Sequence, residues 1–453
     1  MMGDRLVRQN HLFYDVCLED RVPPDHLVRR LDAVLDLGWL RAELAPYYSH
    51  TGCPSVDPEL MIRMMLLGYC YSVRSDRRLC QDVDMSFAYR WFCGLGLEGR
   101  VPDHSTFSVN RHGRFRDSDV LRQVFDRVML SCMAAGLVRG EGFAVDASVI
   151  EADASRFKRI EGATIDWTDE ERARRPIREY LEALDGVNAP TNPARAPKAL
   201  SPTDPCAAWT TRGRYKVMFG YSLNYLIDNE HAIIVDVEAT PTRISKEVDA
   251  TETMIERTEG RFGLKPERIA GDVAYGTGEM LGWLVEHDIT PHIPVKDQSE
   301  IASKGSFVRA AFDYDKEQDV YICPNGKPLT TTGRVFGGNT LYYRASKFDC
   351  DRCPLKARCC PKSPARRVQR DVNEEARDHA RSLRGTAAYL QSGRERKKIE
   401  TLFGDVKRNL GLTRLRLRGL TGARDEFLLA ATVQNLRRLA KLTTIPPPRP
   451  VGV

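Results

Sequence analysis

Two short apolar runs each enclose an aspartate, and they constrain this chain more than any other feature. They are GFAVDASVI (142–150), around Asp146, and RIAGDVAYG (268–276), around Asp272. Mostly apolar runs of this length with β-branched residues suit strands of a sheet covered on both faces. A carboxylate buried there is costly unless a cation compensates it. A strand-end acid that caps a neighbouring backbone is the simpler explanation for either one alone.

The rest of the chain supplies a setting. VMFGYSLNYLID (217–228) and HAIIVDVEAT (231–240) read as two strands joined by a turn at Asp228-Asn229-Glu230. Residues 246–260 read as a helix, GEMLGWLVEHD (278–288) as another, and TPHIPV (290–295) as a strand. Helices are expected over about 390–410 and 422–442. The order is strand, strand, strand, helix, strand, helix, strand, interruption, helix. It predicts an α/β chain with a ribonuclease H-like mixed sheet of five strands and flanking helices. Residues 1–135 read as an all-helical region, a candidate for binding DNA ends, in which Asp103 is a candidate N-cap. The core then runs over 136–296, with a Pro-rich segment at 186–208, and resumes over 386–445. Between them, 297–385 is a Gly- and Pro-containing insertion with a cysteine cluster.

A third acid follows from helical geometry. In YLQSGRERKKIETLFGDVKRNLG (389–411), Arg396, Glu400 and Lys407 stand at i, i+4 and i+11. At about 100° per residue they lie within about 40° of one another. Ile399, Leu402, Phe403, Val406 and Leu410 form an apolar stripe beside them. The helix can therefore pack on a sheet while a cation–anion–cation row follows its edge. An amphipathic helix with an i, i+4 Arg–Glu pair explains that row equally well, but not the two strand aspartates. Carboxylates drawn together from distant positions are what Mg²⁺, an oxygen-seeking ion, requires. Two such ions, roughly 3.5–4 Å apart, serve in-line attack on a phosphodiester. Glu151, Asp153, Asp228 and Asp236 are candidate auxiliary ligands. His104 and His112 suit structural or DNA-facing roles.

Charge adds a partner class. The 453 residues carry 68 Lys and Arg against 62 acids, a net +6, and the surplus gathers between Arg366 and Arg438. A basic C-terminal third suits a polyanion such as DNA, although a solvated helix face looks the same. No apolar run approaches a membrane span, and MMGDRLVRQN lacks the core of a signal peptide, so a cytoplasmic protein is expected. The 12 cysteines are then reduced thiols or metal ligands. Cys323, Cys350, Cys353 and Cys359 suit a structural Zn²⁺ site, with Cys360 a spare, as one CxxC amid Gly and Pro. Reduced thiols in a loop-rich insertion are the alternative.

On these residues the chain resembles the bacterial insertion-sequence transposases of the DDE superfamily, closest to groups with a Tyr-x2-Arg-x3-Glu-x6-Lys signature. Arg396, Glu400 and Lys407 match its last three positions. Position 393 is Gly where the signature has Tyr, and the nearest tyrosine is Tyr389. Asp146 in AVDASVI and Asp272 in GDVAYG match the first two acids. The stretches 101–115, 215–228 and 428–442 also resemble segments of the family. The resemblance implies metal-dependent DNA cleavage and strand transfer, with Asp146, Asp272 and Glu400 holding two Mg²⁺ (or Mn²⁺) ions. It implies that Arg396 and Lys407 hold phosphates. It implies double-stranded DNA partners, the element's terminal inverted repeats and target DNA, engaged by a homodimer or higher assembly. A metal-dependent nuclease without strand transfer, a catalytically inactive DNA-binding relic and a zinc-dependent DNA-binding regulator are the competing readings.

Overall fold

The computed structural model describes residues 15–49, 51–52, 55–161, 165–186, 199–212, 216–242, 244–295 and 307–443. Part of the Pro-rich segment, 187–198, lies outside them. The chain divides by compactness into two units. One holds residues up to 138, 149–223 and from 401 onward; the other holds 139–148 and 224–400.

In the first unit, the elements before residue 139 are all helical among the described residues. Pro58–Cys70 (α1) starts where Asp57 accepts from Glu59 N at 3.0 Å, with Pro58 at the first helical position. Its run of Met, Ile and Leu is buried on most faces, as expected for ELMIRMMLLGYC. Asp76–Met85 (α2) and His104–His112 (α3) follow. Asp103 caps α3 by accepting from Ser105 N at 2.8 Å, the role its sequence predicts. Val120–Ala134 (α4) packs on the last helix, Gly419–Leu442 (α10), which also packs on α1. Phe427, Ala430 and Ala431 of α10 are fully buried there. Arg175–Gly186 (α5) packs on α10 as well. Among the described residues, no helix is long and apolar enough to cross a membrane.

The main sheet has the strand order β4-β3-β1-β5-β6. The strands are Gly142–Glu151 (β1), Lys216–Asp228 (β3), Ile234–Pro241 (β4), Arg268–Ala270 (β5) and Thr290–His292 (β6). Strand β1 runs parallel to β5, with Gly142 opposite Arg268, and β5 runs parallel to β6. Strands β3 and β4 form a hairpin in which Asp228 N donates to Ile233 O at 2.9 Å. Asp228 makes the expected turn by accepting from Glu230 N and His231 N. On β1, Phe143, Ala144 and Val145 are fully buried. Ile244–Phe262 (α6) covers β4, and Gly278–Glu286 (α7) packs against β6 and against Glu374–Leu383 (α8). Ala387–Arg408 (α9) carries Glu400.

Three features refine the sequence reading. A further strand, Ala208–Arg212 (β2), pairs antiparallel with the start of β3, opposite residues 216–220. It follows the Pro-rich segment and is too short and polar to show a period. The second run, 268–276, is a strand only over Arg268–Ala270; beyond it, Asp272 caps a short 3₁₀ turn, Val273–Tyr275. The insertion forms an antiparallel sheet in the order β11-β10-β9-β8-β7. Its strands are Asp313–Asp315 (β7), Val320–Ile322 (β8), Pro328–Thr331 (β9), Thr340–Ala345 (β10) and Arg367–Asp371 (β11). Its core joins Tyr321, Leu329, Tyr343 and Val368 to Cys350 and Cys360.

Candidate active site

Asp146, Asp272, Glu400 and Arg396 all lie in the second unit. Asp146 is the fifth residue of β1, past its fully buried start, and its side chain is 19% exposed. Asp272 stands just beyond β5, the parallel neighbour of β1. The chain turns sharply there because Gly276 passes close to the backbone of residue 294. A Cβ at 276 would lie 2.2 Å from Pro294 O. Asp272 Oδ1 accepts from Ala274 N at 2.8 Å, which fixes the carboxylate at the start of the turn.

Helix α9 is fastened by polar contacts that carry no sequence signature. Ser392 Oγ and His292 Nδ1 of β6 are 2.7 Å apart. Lys398 Nζ donates to Asn229 O at 2.6 Å and to Glu230 O at 2.9 Å. Tyr389 lies against the His292 ring, with centroids 5.7 Å apart. These contacts set the rotation of the helix, and Arg396 then reaches both acids beside it. It lies 3.2 Å from Asp146 Oδ2 and 3.8 Å from Glu400 Oε1. Glu400 is 61% exposed. Lys407 follows on the same helix, two turns on. At position 393 an added Cβ would meet nothing within 4 Å, so the missing tyrosine leaves open space.

The electrostatics tie the acids together. Burial pushes the Asp146 carboxyl up to about 6. The Ala147 amide and the Arg396 guanidinium oppose this, while the charges of Asp272 and Glu400 add to it. Tyr275, in the turn after Asp272, was not foreseen from the sequence. It is buried, its hydroxyl has no hydrogen-bond partner among the described residues, and burial with the charges of Asp146, Glu247 and Asp272 holds it well above the usual tyrosine range.

A raised carboxyl has a stability consequence. Its folded value, about 6, exceeds its ordinary 3.8. The fold therefore favours protonated Asp146, a contribution complete below about pH 4 and lost as pH rises through about 6. At about 1.4 kcal/mol per pH unit, ionised Asp146 costs up to about 3 kcal/mol in metal-free protein. Asp146→Asn is expected to raise the metal-free melting temperature at pH 8 and to leave it unchanged near pH 4. Equal melting of both proteins at pH 8 would contradict the burial argument.

The other acids have structural partners. Asp236 is paired with Arg257 at 2.7 Å. Asp153 is paired with Arg414 and Arg418, each at 3.0 Å. Glu151 N donates to Thr413 O at 3.2 Å. His104 lies 3.3 Å from Asp103, and burial together with Arg175, Arg116 and Arg111 pulls His112 down to about 4. In the insertion, Cys323, Cys350, Cys353, Cys359 and Cys360 line one small cleft with Lys327, Lys356 and Arg366. Burial raises the Cys359 thiol, and it raises Cys360 to about 11. Among the described residues, no group of three or more His, Cys, Asp or Glu side chains is set as a metal ion would hold them.

Comparison with known proteins gives the class. Residues 16–113 match a family described as a transposase domain (DUF772), and residues 322–440 match one described as a transposase DDE domain. The second stretch contains the cysteines, Arg396, Glu400 and Lys407. A search of curated proteins finds no match. A cryo-EM structure titled piggyBac transposase synaptic complex with hairpin DNA is 11% identical at a TM-score of 0.34. That alignment covers 91% of this chain and 72% of the other, and a likeness so slight carries no argument. Two transposase-domain matches within one chain support a DNA transposase, and the second match supports one of the DDE type.

Proposed function

We propose that this transposase cuts the ends of its own element and joins them to target DNA at Asp146, Asp272 and Glu400. The observation that carries the reading is the contact of Arg396 with Asp146 and Glu400, beside a second acid whose charge also acts on Asp146. Three carboxylates from two adjacent parallel strands and one helix suit a cation. Burial is the main cause of the raised Asp146 carboxyl and the charges of Asp272 and Glu400 add to it, a setting that a divalent ion would answer. The strand order β4-β3-β1-β5-β6, with β5 and β6 parallel to β1, supports a ribonuclease H-like core.

The oxygen donors of Asp146, Asp272 and Glu400 suit Mg²⁺ or Mn²⁺ by chemistry, and would hold two such ions once drawn closer than they stand here. When bound, such ions supply Lewis-acid activation of the attacking oxygen and stabilise the leaving one. The chain's own residues do the rest. Asp272 is oriented by the Ala274 amide, and Asp146 by the Ala147 amide and Arg396. Arg396 would offer a guanidinium fork to a DNA phosphate, and Lys407 a second cation on the same helix. DNA ends and target are the partners, and synapsis of two ends calls for at least a dimer.

The test is single-turnover joining of pre-cut element ends to target DNA in Mg²⁺. Cleavage with joining supports the reading; cleavage without joining would favour a nuclease.

We also propose that the cysteine cleft binds a structural Zn²⁺ through Cys323, Cys350, Cys353 and Cys359. These cysteines line one cleft, and their number, residue type and CxxC spacing suit zinc. A small sheet with few core residues gains most from such a staple. Purified Cys350→Ser/Cys353→Ser protein should lose its zinc and melt the insertion at lower temperature. Unchanged metal content would refute the site.

A further inference from the structure

A basic, aromatic surface lies in the first unit, apart from the three acids. After β1 the chain makes a short loop, Ser155-Arg156-Phe157-Lys158-Arg159-Ile160, in which every residue is exposed. Phe157 is 81% exposed, an unusual state for a large aromatic. The loop is anchored on both sides. Ala152 N donates to Phe219 O at 2.9 Å, and Ile160 and Leu200 exchange backbone bonds at 2.9 Å. Arg156 lies 4.7 Å from the Phe157 ring, and Arg159 lies 5.4 Å from the Trp209 ring.

Against the start of this loop runs the segment between α9 and α10, Thr413-Arg414-Leu415-Arg416-Leu417-Arg418. It bridges the end of β1, where Leu415 N donates to Glu151 O at 2.7 Å. An extended backbone alternates its faces. Leu415 turns inward at 1% exposure, while Arg414, Arg416 and Arg418 turn outward at 51%, 44% and 47%. Asp153 joins the two segments through its pairs with Arg414 and Arg418. Six cations therefore lie along the two segments, with Arg159 also near Glu161 at 3.2 Å and Arg416 near Asp76 at 3.7 Å, and an exposed ring stands among them.

An exposed hydrophobic residue standing alone needs no explanation. A ring flanked by cations on a fixed loop, beside an arginine row with a two-residue period, has the composition of a nucleic-acid surface: cations track phosphates and the ring stacks on a base. We infer that loop 155–160 and the row Arg414, Arg416 and Arg418 form a second DNA contact, with the cations on backbone phosphates and Phe157 stacked on an unpaired base. This rests on the chain's acting on DNA but not on which acids perform the chemistry.

Binding alone tests it, so failure of the catalytic assignment remains a separate result. Fluorescein-labelled duplex is compared with duplex carrying a single-stranded flank, over a salt series, using full-length protein. Arg156→Gln/Lys158→Gln/Arg416→Gln spares the Asp153 pairs. It should bind both DNAs more weakly and reduce the slope of log K against log salt by about 2 to 3, at about 0.9 per phosphate. Phe157→Ala should weaken binding of the flanked duplex about 5- to 100-fold and leave the blunt duplex unaffected; Phe157→Trp should restore it. Thermal melts equal to wild type establish that the variants fold. An unchanged slope in the triple variant, an equal loss on both DNAs in Phe157→Ala, or no binding by wild type would each overturn the inference.

Discussion

Asp146→Asn, Asp272→Asn and Glu400→Gln should each slow strand transfer on the order of 10³-fold or more, while DNA binding changes by no more than a few-fold. Each substitution keeps the side chain's size and removes only its charge. The hydrogen bonds that seat Asp146 and Asp272 on the Ala147 and Ala274 amides can persist through the amide oxygen. What disappears is the affinity of an oxygen-ligand site for a hard divalent cation. That cation contributes several kcal/mol to the transition state, at about 1.4 kcal/mol per tenfold in rate. Glu400 is the most exposed of the three, so its variant should also perturb the fold least. The measurement is single-turnover joining of pre-cut ends in Mg²⁺, with binding followed separately. A wild-type joining rate in any of the three would remove that residue from the site.

The parts of this site that were legible in the sequence are those with a local signature. Asp146 stands out because Phe143, Ala144 and Val145 before it are apolar, and all three prove fully buried. Arg396 and Glu400 stand out because a helix repeats every 3.6 residues, and the structure brings both to Asp146's side of the helix. Asp272 was legible as the end of a buried strand running into a loop, and it stands just beyond Arg268–Ala270 at the start of a turn where Gly276 passes close to Pro294. The fastening of α9 was invisible, since His292 and Ser392 meet across 100 residues and nothing in either neighbourhood announces the other. The sheet of the insertion was hidden for a similar reason. Its strands have 3–6 residues and take their partners from tertiary context.

Glu426→Ala should destabilise the first unit by about 3–5 kcal/mol, the range for removing one partner of a buried ion pair. Glu426 sits on α10 at 2% exposure and collects four donors from three parts of the chain. Its Oε1 accepts from Arg416 N at 2.6 Å and from Leu417 N at 2.8 Å. Its Oε2 accepts from Tyr69 Oη at 3.1 Å and from the Arg74 guanidinium. Alanine would strand a half-buried guanidinium, two backbone amides and a phenol together. Arg74 alone cannot replace the lost acceptor, although it also donates to Gly411 O at 3.2 Å. Glu426→Gln should be milder, because its remaining oxygen can still accept from the Arg416 and Leu417 amides while its NH₂ faces Arg74. Chemical denaturation read against wild type gives both values; a loss below about 1 kcal/mol for alanine would show the cluster to be dispensable. The same carboxylate holds the backbone of the arginine row. The alanine variant, kept below its melting point, should therefore also lose part of the salt dependence of DNA binding assigned to Arg416. The glutamine variant should retain that salt dependence, which separates the anchoring of the row from the overall stability of the unit.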